Sequence, residues 1–419
     1  MAQWIERIRS QIGVWKIIQW YLAFLVVPPL VACAILVLVD TLRKHHRSQG
    51  HFLSLRDEEP VNVNDTTVQL YTYGNDLYDA MLDAIEHAQQ RILFETFIWK
   101  DDVIGYRFRR ALIEAAQRGV EVYVIYDQFA NLVVPHSFFR FDTAIHVLKY
   151  PIVSFPFYLF KLKTYARDHR KIMIVDQHIG FIGGYNIGDT YARQWRDTHA
   201  RVSGSGALEI ENSFIDFWNT HKRRNQLPIA DLIQRDWNSN LMIQRNDPVT
   251  LAFPIRSMYL ESIDRAVKNV FLTNAYFIPD QAILHALIKA AHRGVDVRIL
   301  VPAISNHIIA DWLSHGYYTE CLKNGIRLFL YKGAMIHAKT ATADAIWSTV
   351  GTANIDRLSM VGNFEVNIEF YSVDVAREMN KIFAYDASRA YELTLERWIK
   401  RPWYWKLAET MLLSLRPLF

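Results

Sequence analysis

Cysteine is nearly absent from this chain. Cys33 and Cys321 are the only two in 419 residues. One sits in an apolar N-terminal run and the other in a stretch that reads as helix, so neither a disulfide framework nor a thiolate metal site follows from them. An excess of one charge is missing too. Lys and Arg number 47 against 43 Asp and Glu, a net charge of +4, which gives no reason to expect a nucleic-acid partner. Apolar residues, by contrast, are abundant. The chain is 51% hydrophobic and 13% aromatic, rich for an enzyme working wholly in water, and this points to membrane contact. Its length suffices for two domains.

One constellation occurs twice. The first copy is His169, Lys171, Asp176, Gly183, Asn186 and Asp197; the second is His337, Lys339, Asp344, Gly351, Asn354 and Glu365. Every member of the second copy lies 168 residues after its counterpart. Six positions sharing one offset define two related halves, each supplying a histidine, a lysine, an asparagine and a carboxylate. Two half-sites suggest one shared site at a pseudo-twofold interface. Residues 171–175 and 339–343 read as strands, along which i and i+2 point the same way. His169 and Lys171 therefore share a face, as do His337 and Lys339. The aspartates Asp176 and Asp344 fall on the opposite parity and read as strand anchors. Gly183, Gly184 and Gly351, with Thr352, present little bulk, so backbone there is expected to approach a ligand's phosphate closely. Asn186 and Asn354 add neutral donors.

This set suits displacement at a phosphodiester. One neutral histidine attacks while the other, protonated, gives its proton to the leaving oxygen. Two lysines and two asparagines hold the anionic centre. Asp197 and Glu365 are suited to accept from a histidine Nδ1–H, which fixes the tautomer and favours the imidazolium. The lysines supply the positive charge a metal would bring, so no metal and no other cofactor is called for.

The segments His169-Arg-Lys-Ile-Met-Ile-Val-Asp176 and His337-Ala-Lys-Thr-Ala-Thr-Ala-Asp344 resemble the paired HKD motifs of the phospholipase D superfamily. Gly183-Gly-Tyr-Asn186 and Gly351-Thr-Ala-Asn354 match as well. Within that superfamily the chain looks most like bacterial cardiolipin synthases, through Phe94-Glu-Thr-Phe-Ile-Trp99, Trp195-Arg-Asp-Thr-His199, Asn274-Ala-Tyr-Phe-Ile-Pro-Asp280 and Asn363-Phe-Glu365-Val-Asn367. The resemblance spans residues 65–390. It implies two α/β/α domains sharing one active site, with His, Lys and Asp of both motifs as the catalytic set. It also implies crossed pairing, His169 with Glu365 and His337 with Asp197, and phosphatidyl transfer between two phosphatidylglycerol molecules at a bacterial cytoplasmic membrane. His169 is taken as nucleophile by analogy, although the symmetry permits the reverse. A hydrolytic phospholipase D, a transferase using another alcohol such as ethanolamine, a nuclease and an inactive scaffold share parts of the pattern. The oligomeric state stays open. Two positions depart from many relatives. Where an arginine often follows the second asparagine by four places, Leu358 stands, with Arg357 one place earlier; Tyr165 replaces a common asparagine, while Arg167 is retained.

The remaining expectations concern organisation. Residues 17–39 carry no charge, long enough for a span kinked at Pro28-Pro29, a re-entrant hairpin or a cleaved signal; an uncleaved anchor over 1–47 is the reading preferred. A linker follows over 48–66. The first domain is expected over 67–250 and the second over 251–392. In each, a strand, a helix ending Ala-Ala-x-Arg-Gly and another strand recur, with Gly119 and Gly294 as helix caps. Phe155-Pro-Phe-Tyr-Leu-Phe160, backed by Lys161, Lys163, Arg167 and Arg170, reads as a lipid-facing lip. The tail 393–419, with Trp398, Trp403 and Trp405, reads as an interfacial element.

Overall fold

A computed structural model describes residues 59–153, 162–230 and 240–412 without a break, with scattered positions between Trp15 and Leu55 and at Arg416. The first half contains β1 (Val61–Val63), β2 (Thr66–Tyr71), α1 (Gly74–Glu86), β3 (Arg91–Thr96), α2 (Val103–Gln117), β4 (Glu121–Asp127), β5 (Ile145–Tyr150), β6 (Ile172–Val175), β7 (Ile179–Gly183), α3 (Asp189–Arg193), β8 (Trp195–Arg196), β9 (His199–Ser203) and α4 (Gly206–His221). The second contains β10 (Leu241–Asn246), α5 (Pro254–Arg265), β11 (Asn269–Asn274), α6 (Gln281–His292), β12 (Asp296–Pro302), α7 (Ile308–Lys323), β13 (Arg327–Tyr331), β14 (Met335–Ile336), β15 (Lys339–Ala343), β16 (Trp347–Gly351), α8 (Arg357–Val361), β17 (Glu365–Tyr371), α9 (Val373–Ser388), β18 (Ala390–Leu393), α10 (Leu395–Ile399) and α11 (Trp403–Leu412).

These build two eight-stranded sheets, β1-β2-β9-β7-β6-β3-β4-β5 and β10-β17-β16-β15-β11-β12-β13-β18. From β9 and β17 onward the two orders correspond strand for strand. Strands β3, β4 and β5 run parallel, as do β11, β12 and β13, while the motif strands β6 and β15 run antiparallel to β3 and β11. The motif strand β6 is buried along its whole length, as expected where both sheet faces are covered. One apolar core joins the halves, with Ile172, Ile182 and Val202 packed in the same cluster as Val350, Val366 and Ile368. Separate cores lie under the outer helices of each half.

Local chemistry sets the repeated helices. Asp102 caps α2 by accepting from the amide of Gly105, and Asp280 caps α6 through the amide of Ile283. Both helices stop at a left-handed glycine, Gly119 at φ 92° and Gly294 at φ 89°, the conformation that glycine adopts without a Cβ penalty.

The structure moves two expected boundaries and places the tail differently. Strand β10 belongs to the second sheet, paired with β17, so residues 241–246 do not close the first domain. Strand β1 and Thr66 pair within the first sheet, inside the stretch expected as linker. The tail is docked rather than free. Trp398 is buried and donates from Nε1 to Thr319 Oγ1 at 3.0 Å. Trp405 stacks on His315 at 5.8 Å and meets Trp312 at 5.3 Å. Among the described residues of the tail, its outer side, with Ile399, Trp403, Tyr404 and Leu407, stays exposed. Most of the apolar run 17–39 and all of Phe155–Phe160 lie outside the described residues. Among the described residues no helix is long and apolar enough to cross a membrane.

Candidate active site

The site is assembled by two short cross-bridges between the halves. Asp168 bridges Phe364 in parallel, and β14 pairs in parallel with β8, Ile336 opposite Arg196. The amide of His169 donates to the Phe364 carbonyl at 3.1 Å, and that of His337 to the Arg196 carbonyl at 2.6 Å. The residue after Phe364 is Glu365, and the residue after Arg196 is Asp197. Backbone pairing thus sets each histidine beside the carboxylate of the other half. His169 Nδ1 lies 2.9 Å from both Glu365 oxygens. His337 Nδ1 lies 2.6 Å from Asp197 Oδ2. With the carboxylate oxygens accepting, this network places Nδ1–H on both rings and leaves Nε2 for chemistry. The β8 bridge is itself pinned by a buried ion pair, Arg196 Nη2 to Asp386 Oδ2 at 2.6 Å.

Both lysines complete the set. Lys171 Nζ donates to the His169 carbonyl, and Lys339 Nζ to the His337 carbonyl, with Lys339 Nζ also 2.9 Å from His337 Nδ1. Each histidine feels the charge of both lysines, which brings the four side chains into one site. Burial, and then the lysines, hold both imidazoles well below the ordinary histidine range. Burial also lowers Lys171 to about 7 and Lys339 to about 8. It raises Glu365 to about 8 and pushes Asp197 up. An incoming phosphodiester reverses part of this, since its negative charge favours protonated lysine and imidazolium.

Other expected residues serve different ends. Asp176 accepts from the amides of Gln89, Gln90 and Arg91 at 2.7, 2.7 and 2.8 Å. Asp344 does the same for Val267, Lys268 and Asn269 at 2.9, 2.7 and 2.9 Å. Each ties a hairpin turn to the start of β3 or β11. The two aspartates are anchors, and counting them among the catalytic groups is corrected. The glycines make room for protein, not for ligand. A Cβ on Gly184 would sit 2.1 Å from Asp197 Oδ1, one on Gly183 2.7 Å from His199 Nδ1, and one on Gly351 2.2 Å from Asn367 Oδ1. At the position equivalent to Gly184, Thr352 gives its hydroxyl to Glu365 Oε2. Asn186 accepts from the Ile98 amide at 3.1 Å, and Asn354 is buried with Oδ1 unpaired.

Of the two arginines expected behind a lipid-facing lip, Arg170 does not face lipid. Arg170 is buried, 3.1 Å from Glu95 and bonded to Ser213. Arg167 spends its guanidinium on the carbonyls of Tyr165, Pro151 and Ile152. Several further residues stand beside the site, in stretches that the sequence marks only through the family resemblance. Phe97 lies edge-on to His169 at 4.7 Å, and Lys171 Nζ stands 5.2 Å over its ring. Trp195 and Tyr276 flank His337 at 4.9 and 6.2 Å. His199, which burial lowers to about 3, backs Gly183. Its counterpart at the same 168-residue offset is Asn367, a signal present in the sequence.

Two related α/β halves that share one histidine–lysine site define a phospholipase D-type fold. The family model described as "Cardiolipin synthase, PLD-like domain" matches residues 81–218 and 259–387. The chain is 32% identical over 385 residues to a cardiolipin synthase of Listeria monocytogenes, covering 90% of this chain and 80% of that one. It is 31% identical to the major cardiolipin synthase of Bacillus subtilis, covering 88% and 78%. A crystal structure of the Haemophilus influenzae phosphatidylserine synthase shares the fold, with a TM-score of 0.65 at 12% identity over 84% of this chain and 93% of that one. The chain belongs to the cardiolipin synthase family of phospholipase D-type phosphatidyltransferases.

Proposed function

We propose that the protein joins two phosphatidylglycerol molecules into cardiolipin and releases glycerol. The observation that carries this reading is the crossed pairing, which turns two histidines with free Nε2 atoms toward one space held by two lysines. In the first step His169 Nε2 attacks phosphorus. The bond to the donor's terminal glycerol breaks, and that oxygen takes a proton from His337 Nε2–H. Glu365 holds the Nδ1–H of the phosphatidyl-histidine. In the second step neutral His337 removes the proton from the acceptor's glycerol hydroxyl. The oxygen attacks phosphorus, and the P–N electrons return to His169. Lys171 and Lys339 carry the charge on the non-bridging oxygens through both steps. Anionic lipid supplies both substrates. The exposed tail residues Trp403, Tyr404 and Leu407 and the apolar run 17–39 support work at a bacterial cytoplasmic membrane.

Purified protein given phosphatidylglycerol vesicles should form cardiolipin and glycerol in equal amounts, read by mass. Phosphatidic acid in place of cardiolipin would identify a hydrolase.

The pH profile follows from the same groups. The first step needs neutral His169, a protonated His337, which the bound phosphodiester favours, and charged lysines. The histidine stays neutral well below its ordinary range, whereas Lys171 discharges near about 7 and Lys339 near about 8. Measured between about pH 5 and 9, kcat/KM should fall as pH rises through these values, and the kcat limb should lie higher because bound phosphate retains the lysine protons. A kcat/KM that climbs steadily to the alkaline end would contradict this arrangement.

A further inference from the structure

The two halves differ in charge just outside the histidines. A cleft of about 720 Å³ lies between the start of α5 and α8, lined by Phe253, Arg256, Ser257, Asp280, Arg357 and Val361. Helix α8 begins three residues after Asn354, and its cap, Asp356, is influenced by Lys339 and Glu365. Arg357 and Val361, one turn apart on α8, form one wall. Asn246 fixes the cleft's shape by bonding the carbonyls of Ser359 and Met360 and the amide of Ile255. Arg256 gives Nε to Asp280 at 2.5 Å. Arg357 is exposed and has no ion-pair or hydrogen-bond partner among the described residues. Two arginines against one carboxylate leave this cleft positive.

A cleft of about 640 Å³ sits at the related place in the first half, lined by Asp101, Asp102, Arg107, Arg110 and Asp189 among others. Asp189 precedes Arg357 by the same 168 residues. Asp102 and Asp280 are the matching helix caps. There Arg107 is engaged by Asp79 at 3.0 Å and Arg110 by Glu114 at 2.7 Å, so the three aspartates dominate. Related frames thus carry opposite charge, which favours an anion on the second half's side.

We propose that the α5–α8 cleft holds the phosphodiester of the acceptor phosphatidylglycerol, with Arg357 as its cation and Phe253 and Val361 against its glycerol ester. This rests on the reading that phosphatidylglycerol is the acceptor. The chemistry of that reaction requires such a place. The donor phosphate occupies the lysines, and the acceptor brings a second phosphodiester that stays intact and becomes the second phosphate of the product. A neutral alcohol brings none.

The test uses full-length Arg357→Gln in phosphatidylglycerol vesicles with added ethanol. Both acceptors then compete for the same phosphatidyl-histidine. The ratio of cardiolipin to phosphatidylethanol should fall roughly tenfold, the range of one charge-assisted contact, while phosphatidylethanol formation keeps its rate. Arg357→Lys should recover part of the ratio. An unchanged ratio, or an equal loss of both products, overturns the proposal. Inorganic phosphate competing at Arg357 should at most lower the ratio of the unaltered protein and leave that of Arg357→Gln unchanged; added phosphate that changes both products together in the unaltered protein alone would make free phosphate the occupant and overturn the proposal. If the unaltered protein makes phosphatidylethanol and no cardiolipin, the acceptor reading itself fails and this proposal with it.

Discussion

His169→Ala should abolish turnover, with a loss of at least about a thousandfold. Among the described residues no other nucleophile stands in its place. The remaining site groups are the two lysines, already bonded to carbonyls, and His337, which the same cycle needs as acid and base. His337→Ala should stop the cycle differently. Loss of the acid slows departure of glycerol, and loss of the base blocks activation of the acceptor. Labelled phosphatidylglycerol should therefore accumulate slowly as phosphatidyl-protein, with the label on His169. Mass analysis of the two motif peptides reads the outcome. Label on His337 in the His169→Ala protein, with none on His169 in the reciprocal one, would exchange the two roles.

Lys171→Met and Lys339→Met should each lower kcat by roughly two or more orders of magnitude, with a smaller effect on KM, because the charge matters most as the transition state spreads negative charge over the phosphoryl oxygens. Methionine keeps the length of the side chain. Each lysine also bonds the carbonyl of its own motif histidine, so the loss includes some misplacement of that ring. A thermal melt separates the two contributions. An unshifted melt with the expected loss isolates the charge, and near-normal turnover would remove that lysine from the site.

The repeated core was legible because it depends on local rules. A strand, a capped helix and a left-handed glycine recur with Asp102 and Gly119, and again with Asp280 and Gly294. The constant 168-residue offset marked the site itself. Which carboxylate meets which histidine came from family resemblance and not from spacing, since Glu365 is brought to His169 by a bridge between segments 196 residues apart. Periodicity carries no information at that range. The glycines misled for a related reason. Absence of a side chain signals close approach but does not say of what, and at Gly184 the visitor is Asp197. Arg170 looked like a surface cation because Glu95, its partner, stands on another strand. In the tail, Trp398 and Trp405 looked interfacial because tryptophan suits a bilayer and an aromatic cluster equally well, and the stack on His315 is invisible in sequence.

The crossed bridges also govern when this chain becomes dangerous to lipid. As it leaves the ribosome, the first motif emerges complete in its own residues, yet His169 has no orienting carboxylate until Glu365 has been translated and β17 has paired. His337 waits only for a segment made long before it. A half-made chain therefore holds a histidine and a lysine with no means of setting the tautomer, and no second histidine to move a proton. Activity needs the last related strand, so a chain that ends before Glu365 lacks the carboxylate that orients His169.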